Sequence, residues 1–386
     1  MRFSSLIIKN LLRRPARSLL TLVALMTAIA AVIGLNGISR GFTQSFADIY
    51  EAHSVDIVVS RQGSADRLSS SVDQDFVDGI GALPEVERTA GVLLDTLSFE
   101  DEGVYGVPTM GVAADSWLLD DYDIEGQNDF AENGFDINSA TKQASKQAFL
   151  GIHLAERLEL EVGGTFNLFD EPYRVSGIFT SPSTWENGSM IMPLSELQQL
   201  TDRVGQVTYV NVVLAKPVSD GGAETAIQEI QALDARLLAL ATGEFVETDT
   251  RMQLAGAMAF MTSAVALVIG AIGTLNTMLT SVLERTREIG ILRAIGWPRG
   301  RIVKMILLES CTLAVVASAL GSLLAVVMTW SLAQAPAAKG ILSPSIDLVA
   351  VAQGVALAIG IGLLGAILPA WRAAQMLPTE AFREQG

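Results

Sequence analysis

The chain has 386 residues, of which half are hydrophobic and 18% are charged, and its net charge is −16. An acidic chain of this kind lacks the basic surface that a nucleic-acid partner requires, so no nucleic-acid binding is expected. The only cysteine is Cys311. A domain outside the membrane therefore has no disulfide and depends on its own core.

Residues 1–17 are basic and amphipathic. Phe3, Leu6 and Leu11 fall near one helical face, while Lys9 and Arg13 fall off it, before Pro15. This pattern predicts a cytoplasmic helix lying on membrane lipid. A simple cytoplasmic tail is the alternative.

Four long uncharged runs follow, and each is long enough to cross about 30 Å of hydrocarbon as a helix. The runs are Ser18–Ser39, Met252–Leu283, Ser310–Ala338 and Leu348–Trp371. They predict transmembrane helices over residues 18–39, 252–283, 305–335 and 347–371. A cleaved signal peptide is the alternative for the first run, but the run stays apolar to Ile38, which favours a retained anchor.

Charge around these runs predicts the orientation. The segment Glu284–Lys304 carries six basic and two acidic residues, whereas Ser39–Thr250 carries 11 basic and 36 acidic residues. Basic residues near span ends stay on the cytoplasmic side. Both termini, the 284–304 connection and the 372–386 tail are therefore expected in the cytoplasm, and the acidic domain is expected outside.

The domain over residues 40–250 has mixed hydrophobic periods, which predict an α+β fold of two lobes with residues about 115–205 inserted. Strands are expected at Val86–Phe99 and Val104–Val112. Helices are expected at Phe149–Leu158 and Ala223–Ala241, followed by a strand near Phe245.

One acidic stretch of this domain matches the spacing of an EF-hand calcium loop. The candidate ligands are Asp121, Asp123, Glu125, Asp129 and Glu132. No helix pair flanks them, and 36 acidic residues produce such spacing by chance, so no metal is expected. His53 and His153 are isolated from Cys311 and from each other, and no catalytic arrangement is evident.

The connection between spans two and three contains the most specific motif of the chain, LERTREIGILRAIGWPRGRI from Leu283 to Ile302. Ile289, Leu292 and Ile295 recur every three residues, and charged residues occupy the other side. The pattern predicts a short amphipathic helix suited to docking on a soluble partner. A solvated loop with cytoplasmic positive charge is the alternative.

With this motif, the start IIKNLLRRPARSLLT and the end LPAWRAAQMLPTEAFR, the chain resembles permeases of the MacB and FtsX-like group of ABC transporters. In the outer domain, ALPEVERTAGV, LGIHLAERLELEVGGTFNLF and YRVSGIFTSPSTWENGSMIMPLSELQQL also resemble that group. The resemblance implies that the connection is a coupling helix that contacts an ATPase. The implied contact residues are Glu284, Arg285, Arg287, Glu288, Ile289, Gly290, Leu292, Arg293, Ala294 and Gly296.

The resemblance further implies a pair of permeases, homodimeric or heterodimeric, in the bacterial inner membrane. No phosphate-loop pattern occurs in the 386 residues, so ATP and Mg²⁺ are expected on a separate ATPase and no cofactor on this chain. A periplasmic adaptor or acceptor is a further possible partner. Small residues recur in span three at Ala317, Gly321 and Ala325, and in span four at Ala358, Gly362 and Ala366. They allow helix packing, either between copies or within one chain.

Three functions follow from these patterns. The first is a non-catalytic permease subunit that moves an amphipathic substrate, such as a lipoprotein, lipid, peptide or drug-like molecule, by transmitting motion to the outer domain. The second is an FtsX-like signalling protein that controls an extracytoplasmic partner. The third is a membrane-anchored binding or sensor domain without an ATPase.

Overall fold

The computed structural model describes residues 15–64, 69–126, 137–138, 143–144, 146–215, 222–334, 346 and 348–376. Most of the predicted surface helix over residues 1–17 and most of the 372–386 tail lie outside these ranges. The chain divides into two compact units. The membrane unit comprises residues 1–40, 255–332 and 344–386, and the outer unit comprises residues 41–254 and 333–343.

Among the described residues, four helices are long and apolar enough to cross a membrane. They are α1 (Pro15–Ala52), α8 (Thr250–Glu284), α10 (Arg299–Ala333) and α11 (Leu348–Gln375), and the short helix α9 (Thr286–Ala294) connects the second to the third. The predicted class, four transmembrane helices with an α+β domain, is confirmed. Helices α1 and α8 are longer than their apolar runs, and their outer ends belong to the outer unit.

The membrane unit packs through small side chains. Ala314 and Ala358 are fully buried with Ile29 and Ile33 of α1. A Cβ added at Gly321 would lie 2.9 Å from the carbonyl oxygen of Met26, so α10 and α1 approach closely there. Both predicted small-residue stripes are buried within this single chain. They therefore serve intramolecular helix packing.

In the described part of the outer unit, ten strands form one mixed sheet in the order β14-β1-β13-β3-β4-β11-β8-β10-β5, with β9 paired to β10. Two short pairs, β12 with β2 and β6 with β7, lie off this sheet. The strands are β1 (Ile57–Arg61), β2 (Val72–Asp73), β3 (Val86–Phe99), β4 (Val104–Val112), β5 (Asp123–Glu125), β6 (Ile137–Asn138), β7 (Gln143–Ala144), β8 (Gln147–Gly151), β9 (Thr165–Leu168), β10 (Glu171–Thr180), β11 (Met190–Pro193), β12 (Gln206–Val207), β13 (Tyr209–Leu214) and β14 (Leu237–Ala241).

Both faces of this sheet are covered. Ile57 and Val59 belong to one core with helices α2 (Asp75–Gly81), α3 (Ile152–Leu158), α5 (Leu194–Leu200) and α6 (Gly222–Leu233), whereas Val58 belongs to a second core. Neighbouring residues of a strand point to opposite faces, which explains this alternation. The second core includes the end of α1, a 3₁₀ helix (Trp117–Asp121) and helix α7 (Thr242–Thr248).

The sheet order also separates the two predicted parts of the domain. Strands β5, β8, β10 and β11, which come from residues 115–205, are neighbours at one end of the sheet, and β14, β1, β13 and β3 occupy the other end. The two parts therefore share one continuous sheet.

Three local predictions for the outer domain are wrong. Residues 149–151 of the expected helix Phe149–Leu158 belong to β8. The expected helix Ala223–Ala241 ends at Leu233, because Asp234 accepts a hydrogen bond from the Arg236 amide in a turn and the following apolar residues pair with β1. The expected strand near Phe245 is helix α7. In the first two cases pairing with a distant strand overrides local propensity.

Candidate functional site: the helix between the second and third spans

Helix α9 is a separate short helix with defined ends. Arg285 precedes it in a non-helical conformation, and the amide of Ile289 donates to the carbonyl of Arg285. At the other end Gly296 has φ +97°, a left-handed conformation that glycine adopts without strain. Pro298 then precedes α10. The predicted connecting helix is thus present, and its ends are set by Arg285 and Gly296.

One side of α9 is anchored within the membrane unit. Ile289 is buried together with Ile302 and Ile306 of α10 and Ala373 of α11. Burying such aliphatic side chains stabilises a contact by about 1.5–3 kcal/mol each. This apolar anchor holds a nine-residue helix that would be marginal alone.

An ion pair adds to this anchor. Nη1 of Arg285 lies 3.2 Å from both carboxylate oxygens of Glu309, which is almost fully buried on α10. The pair connects the start of α9 to the third span.

The end of α9 is held by polar contacts. Nη1 of Arg293 donates to the carbonyl oxygen of Trp297 at 2.8 Å. The guanidinium of Arg301 lies 5.2 Å from the centre of the Trp297 ring, within the range of a cation–π contact. The turn after α9 is therefore fixed to both neighbouring helices.

The structure divides the ten predicted contact residues into two groups. Ile289 and Gly290 are buried, and Arg285, Leu292 and Arg293 are half-buried. The remaining five are exposed: Glu284, Arg287, Glu288, Ala294 and Gly296. Only this second group, with the exposed Ile291 and Ile295, forms an accessible surface.

The exposure of Ile295 differs from the one predicted from the sequence. It was grouped with Ile289 and Leu292 on one apolar face, yet Ile289 is 2% exposed and Ile295 is 73% exposed. A helix turns about 100° per residue, so a spacing of three drifts by about 60° per step. Two steps carry Ile295 away from the anchored side and leave an isoleucine on the accessible surface.

The outer unit contains a second notable cluster, which the sequence did not reveal. His53, one residue beyond α1 and 3% exposed, has its Nδ1 3.0 Å from Oδ2 of Asp121 and its Nε2 3.5 Å from Oε1 of Glu186. Glu186 lies in the short helix α4 (Thr184–Asn187) and is fully buried. The hydroxyl of Tyr122 donates to Glu186 at 2.6 Å, and Ser181 donates to its other carboxylate oxygen.

The cluster holds the end of α1 in the outer unit together with aromatic packing. Phe46 of α1 contacts Phe42 and Trp185, with ring centres 5.0 and 5.2 Å apart. The Ser183 hydroxyl donates to the Ser45 carbonyl at 2.9 Å. His53, Asp121 and Glu186 are far apart in sequence, so no local spacing indicates that they meet.

The calcium-loop candidates do not form one group in the described structure. Asp121 contacts His53, while Asp123 and Glu125 lie on β5, which pairs with β10. Asp129 and Glu132 lie outside the described residues. Across the part of the chain with described coordinates, no group of three or more His, Cys, Asp or Glu side chains is arranged to hold a metal.

The fold defines a multi-pass membrane protein with a large α+β domain between its first and second spans. The family model for the MacB-like periplasmic core domain matches residues 18–230, and the model for the FtsX-like permease C-terminal region matches residues 260–378. This chain belongs to the MacB/FtsX-like family of ABC transporter permeases.

Individual relatives agree with this assignment. The macrolide export ATP-binding/permease protein MacB of Neisseria meningitidis serogroup A is 24% identical over 399 residues, covering 98% of this chain and 60% of that protein. The chain thus spans about three fifths of the curated MacB relatives that it matches. An uncharacterized ABC transporter permease of Bacillus subtilis, YknZ, is 37% identical over 121 residues, covering 31% of this chain and 30% of that protein.

Among solved structures, the periplasmic region of MacB from Actinobacillus actinomycetemcomitans covers 52% of this chain and 94% of its own length. The identity is 10% and the TM-score is 0.39.

Proposed function

We propose that this chain is the non-catalytic membrane subunit of an ABC transporter in the bacterial inner membrane, and that α9 receives the motion of a separate cytoplasmic ATPase. The observation that carries the proposal is the two-sided character of α9. Its anchored side is fixed by Ile289 and the Arg285–Glu309 pair, and its accessible side presents charged and apolar groups. A rigidly held helix with an exposed, chemically mixed face can transfer force from a docked partner.

The motion would pass along α1 and α8, each of which contributes residues to both units. In the outer unit the ends of these helices pack together, because Met252 of α8 clusters with Phe46 and Ile49 of α1. We infer that the outer domain responds by moving an amphipathic substrate of the lipoprotein, lipid, peptide or drug-like class. ATP and Mg²⁺ would be bound by the partner.

A second permease copy is part of this proposal. In its most apolar stretch only 6% of α8 is buried, against 33–39% in the other three spans. Asn276 on this helix is exposed, and an amide in hydrocarbon is favoured where another helix supplies hydrogen bonds. A second copy would supply an identical donor and acceptor.

Docking is tested by changing the accessible surface of α9 in a co-purified permease–ATPase complex. Ile295→Asp should weaken ATPase co-purification at least tenfold, because it places a charge in an apolar contact. Val204→Asp is the matched control, since Val204 is 71% exposed in the outer unit. Equal binding by both variants and the unmodified chain would refute the assignment of α9 as the docking helix.

Orientation is tested by labelling. In a Cys311→Ser background, Tyr105→Cys and Arg287→Cys place single thiols on exposed positions of the outer unit and α9. A membrane-impermeant maleimide added to cells with a permeable outer membrane should label position 105 only, and position 287 only after lysis. Labelling of both positions before lysis would contradict the proposed topology.

A further inference from the structure

The buried cluster around His53 has a protonation requirement that its geometry imposes. Two carboxylates approach the imidazole from opposite sides, Asp121 at Nδ1 and Glu186 at Nε2. An ionised carboxylate only accepts hydrogen bonds, and a neutral imidazole carries a single N–H. Either neutral tautomer therefore turns a nitrogen lone pair toward a carboxylate oxygen, and only the imidazolium offers a donor to both.

Both carboxylate oxygens of Glu186 accept a hydrogen bond from a neutral hydroxyl. The Tyr122 hydroxyl donates to one of its oxygens, and the Ser181 hydroxyl donates to the other. The Ser181 oxygen already accepts from the Ser183 amide at 3.0 Å, so its hydrogen is directed to Glu186. A buried carboxylate anion with two neutral donors still needs a positive charge nearby. His53 supplies that charge.

The titratable groups that face His53 all favour this state. Burial opposes protonation of the imidazole, but the nearby carboxylates of Glu186, and then of Asp121, outweigh it and raise the pKa of His53 above its ordinary value of 6.5. Burial, followed by the charge of Glu186, raises the pKa of Tyr122 well above its ordinary range, so this phenol remains a donor. Tyr209 lines the same pocket.

We propose that protonated His53 is a latch that fastens the outer end of α1 to Asp121 and to α4, and that the latch loosens when His53 loses its proton. This inference rests on the proposed function for its consequence, since a loosened α1 would transmit less motion to the outer domain. A rise in the pH outside the cell would then reduce the coupling.

The sign of the pH effect follows from proton linkage. Below pH 6.5 His53 is protonated whether the latch is closed or open, so pH has no effect there. Between 6.5 and the raised pKa of the closed state, the closed state binds one more proton, and opening becomes about tenfold easier per pH unit. The stabilisation is thus lost as the pH rises through the pKa of the closed state.

Amide hydrogen exchange on the full chain in lipid nanodiscs measures this opening directly. After correction for intrinsic exchange, the His53 and Val55 amides, which donate to Ile49 and Tyr50, should exchange faster from pH 6.5 upward. Amides of β3, a strand paired on both sides, provide the internal reference. His53→Gln should exchange at one rate across this range.

The titration of His53 itself supplies a test that needs no change at the latch. The chain has two histidines, so His153→Gln leaves one imidazole signal in a ¹³C-histidine-labelled sample. A midpoint above 6.5 supports the latch. A midpoint at or below 6.5, or a wild-type exchange rate that does not vary with pH, would overturn it.

Neither measurement uses an ATPase. A working latch in a chain that fails to bind any ABC ATPase would leave the latch standing and refute the proposed function. A chain that couples to an ATPase but lacks the pH-dependent exchange would refute the latch and leave the proposed function standing.

Discussion

Two buried ion pairs fasten helix ends in this protein, and they differ in what holds their charge. In the membrane unit Arg285, at the start of α9, pairs with one carboxylate, Glu309. In the outer unit His53, just beyond the end of α1, stands between Asp121 and Glu186. Arginine stays protonated at any physiological pH, whereas histidine titrates close to neutrality.

The difference matches what each helix is proposed to do. A helix that receives force from an ATPase needs a fastening that does not vary with conditions, and the Arg285 pair provides one. The end of α1 lies in the domain expected to face the environment, where pH changes. The same structural task is thus performed once by a permanent charge and once by a titratable charge.

Removing Glu186 should have the largest effect on this comparison. Glu186→Ala leaves the imidazole of His53 without one partner and leaves two buried hydroxyls, those of Tyr122 and Ser181, without an acceptor. Breaking a buried charge pair from one side costs about 3–5 kcal/mol. Urea unfolding of the full chain in detergent should show a loss of that size in the outer unit.

A matched control for this prediction exists in the same domain. Glu196 accepts a hydrogen bond from the buried Tyr173 at 2.6 Å, whereas His53 lies beside Asp121 and Glu186, and His153 lies beside Glu156. Glu196→Ala should cost only about 1.5 kcal/mol, the lower end of the range for one hydrogen bond to a charged group. Equal losses in both variants would show that His53 adds nothing to the Glu186 site.

Breaking the Arg285 pair should have the next largest effect. Arg285→Ala leaves Glu309 buried and unpaired, which costs about 3 kcal/mol, the lower end of the range for buried pairs. Thermal unfolding in micelles measures this loss. Arg285→Met combined with Glu309→Met should recover most of it, because two apolar side chains replace both charges. A double variant as unstable as the single one would contradict a simple ion-pair role.

Changing the surface pair Asp234–Arg236 should have the smallest effect on stability. Hydrogen bonds from Arg236 lower the pKa of Asp234 to about 2, yet Arg236 is 72% exposed, so water screens the pair. Asp234→Asn should leave the urea midpoint unchanged within error at pH 7. A clear loss would show that the turn between α6 and β14 depends on this carboxylate.

Some elements of the fold were predictable from the sequence, and others were not. Strands β3 and β4 were predicted with the bounds that the structure has, because their apolar runs and the charged turn between them are local signals. Residues Leu237–Ala241 were misassigned to a helix, since their leucines and alanines favour a helix locally and only pairing with β1 makes them a strand. The position of α9 was predictable, but the direction of Ile295 was not.

The amino-acid sequence by itself determined the four spans, the acidic outer domain and the family, because long uncharged runs, net charge and motif order are properties of the chain read in one dimension. The tertiary structure decided which residues of α9 are anchored, and it brought His53 to Asp121 and Glu186. The Asp121 contact alone joins residues 68 positions apart. Such contacts depend on how the strands pair and the helices pack, and those arrangements leave no periodic trace in the sequence.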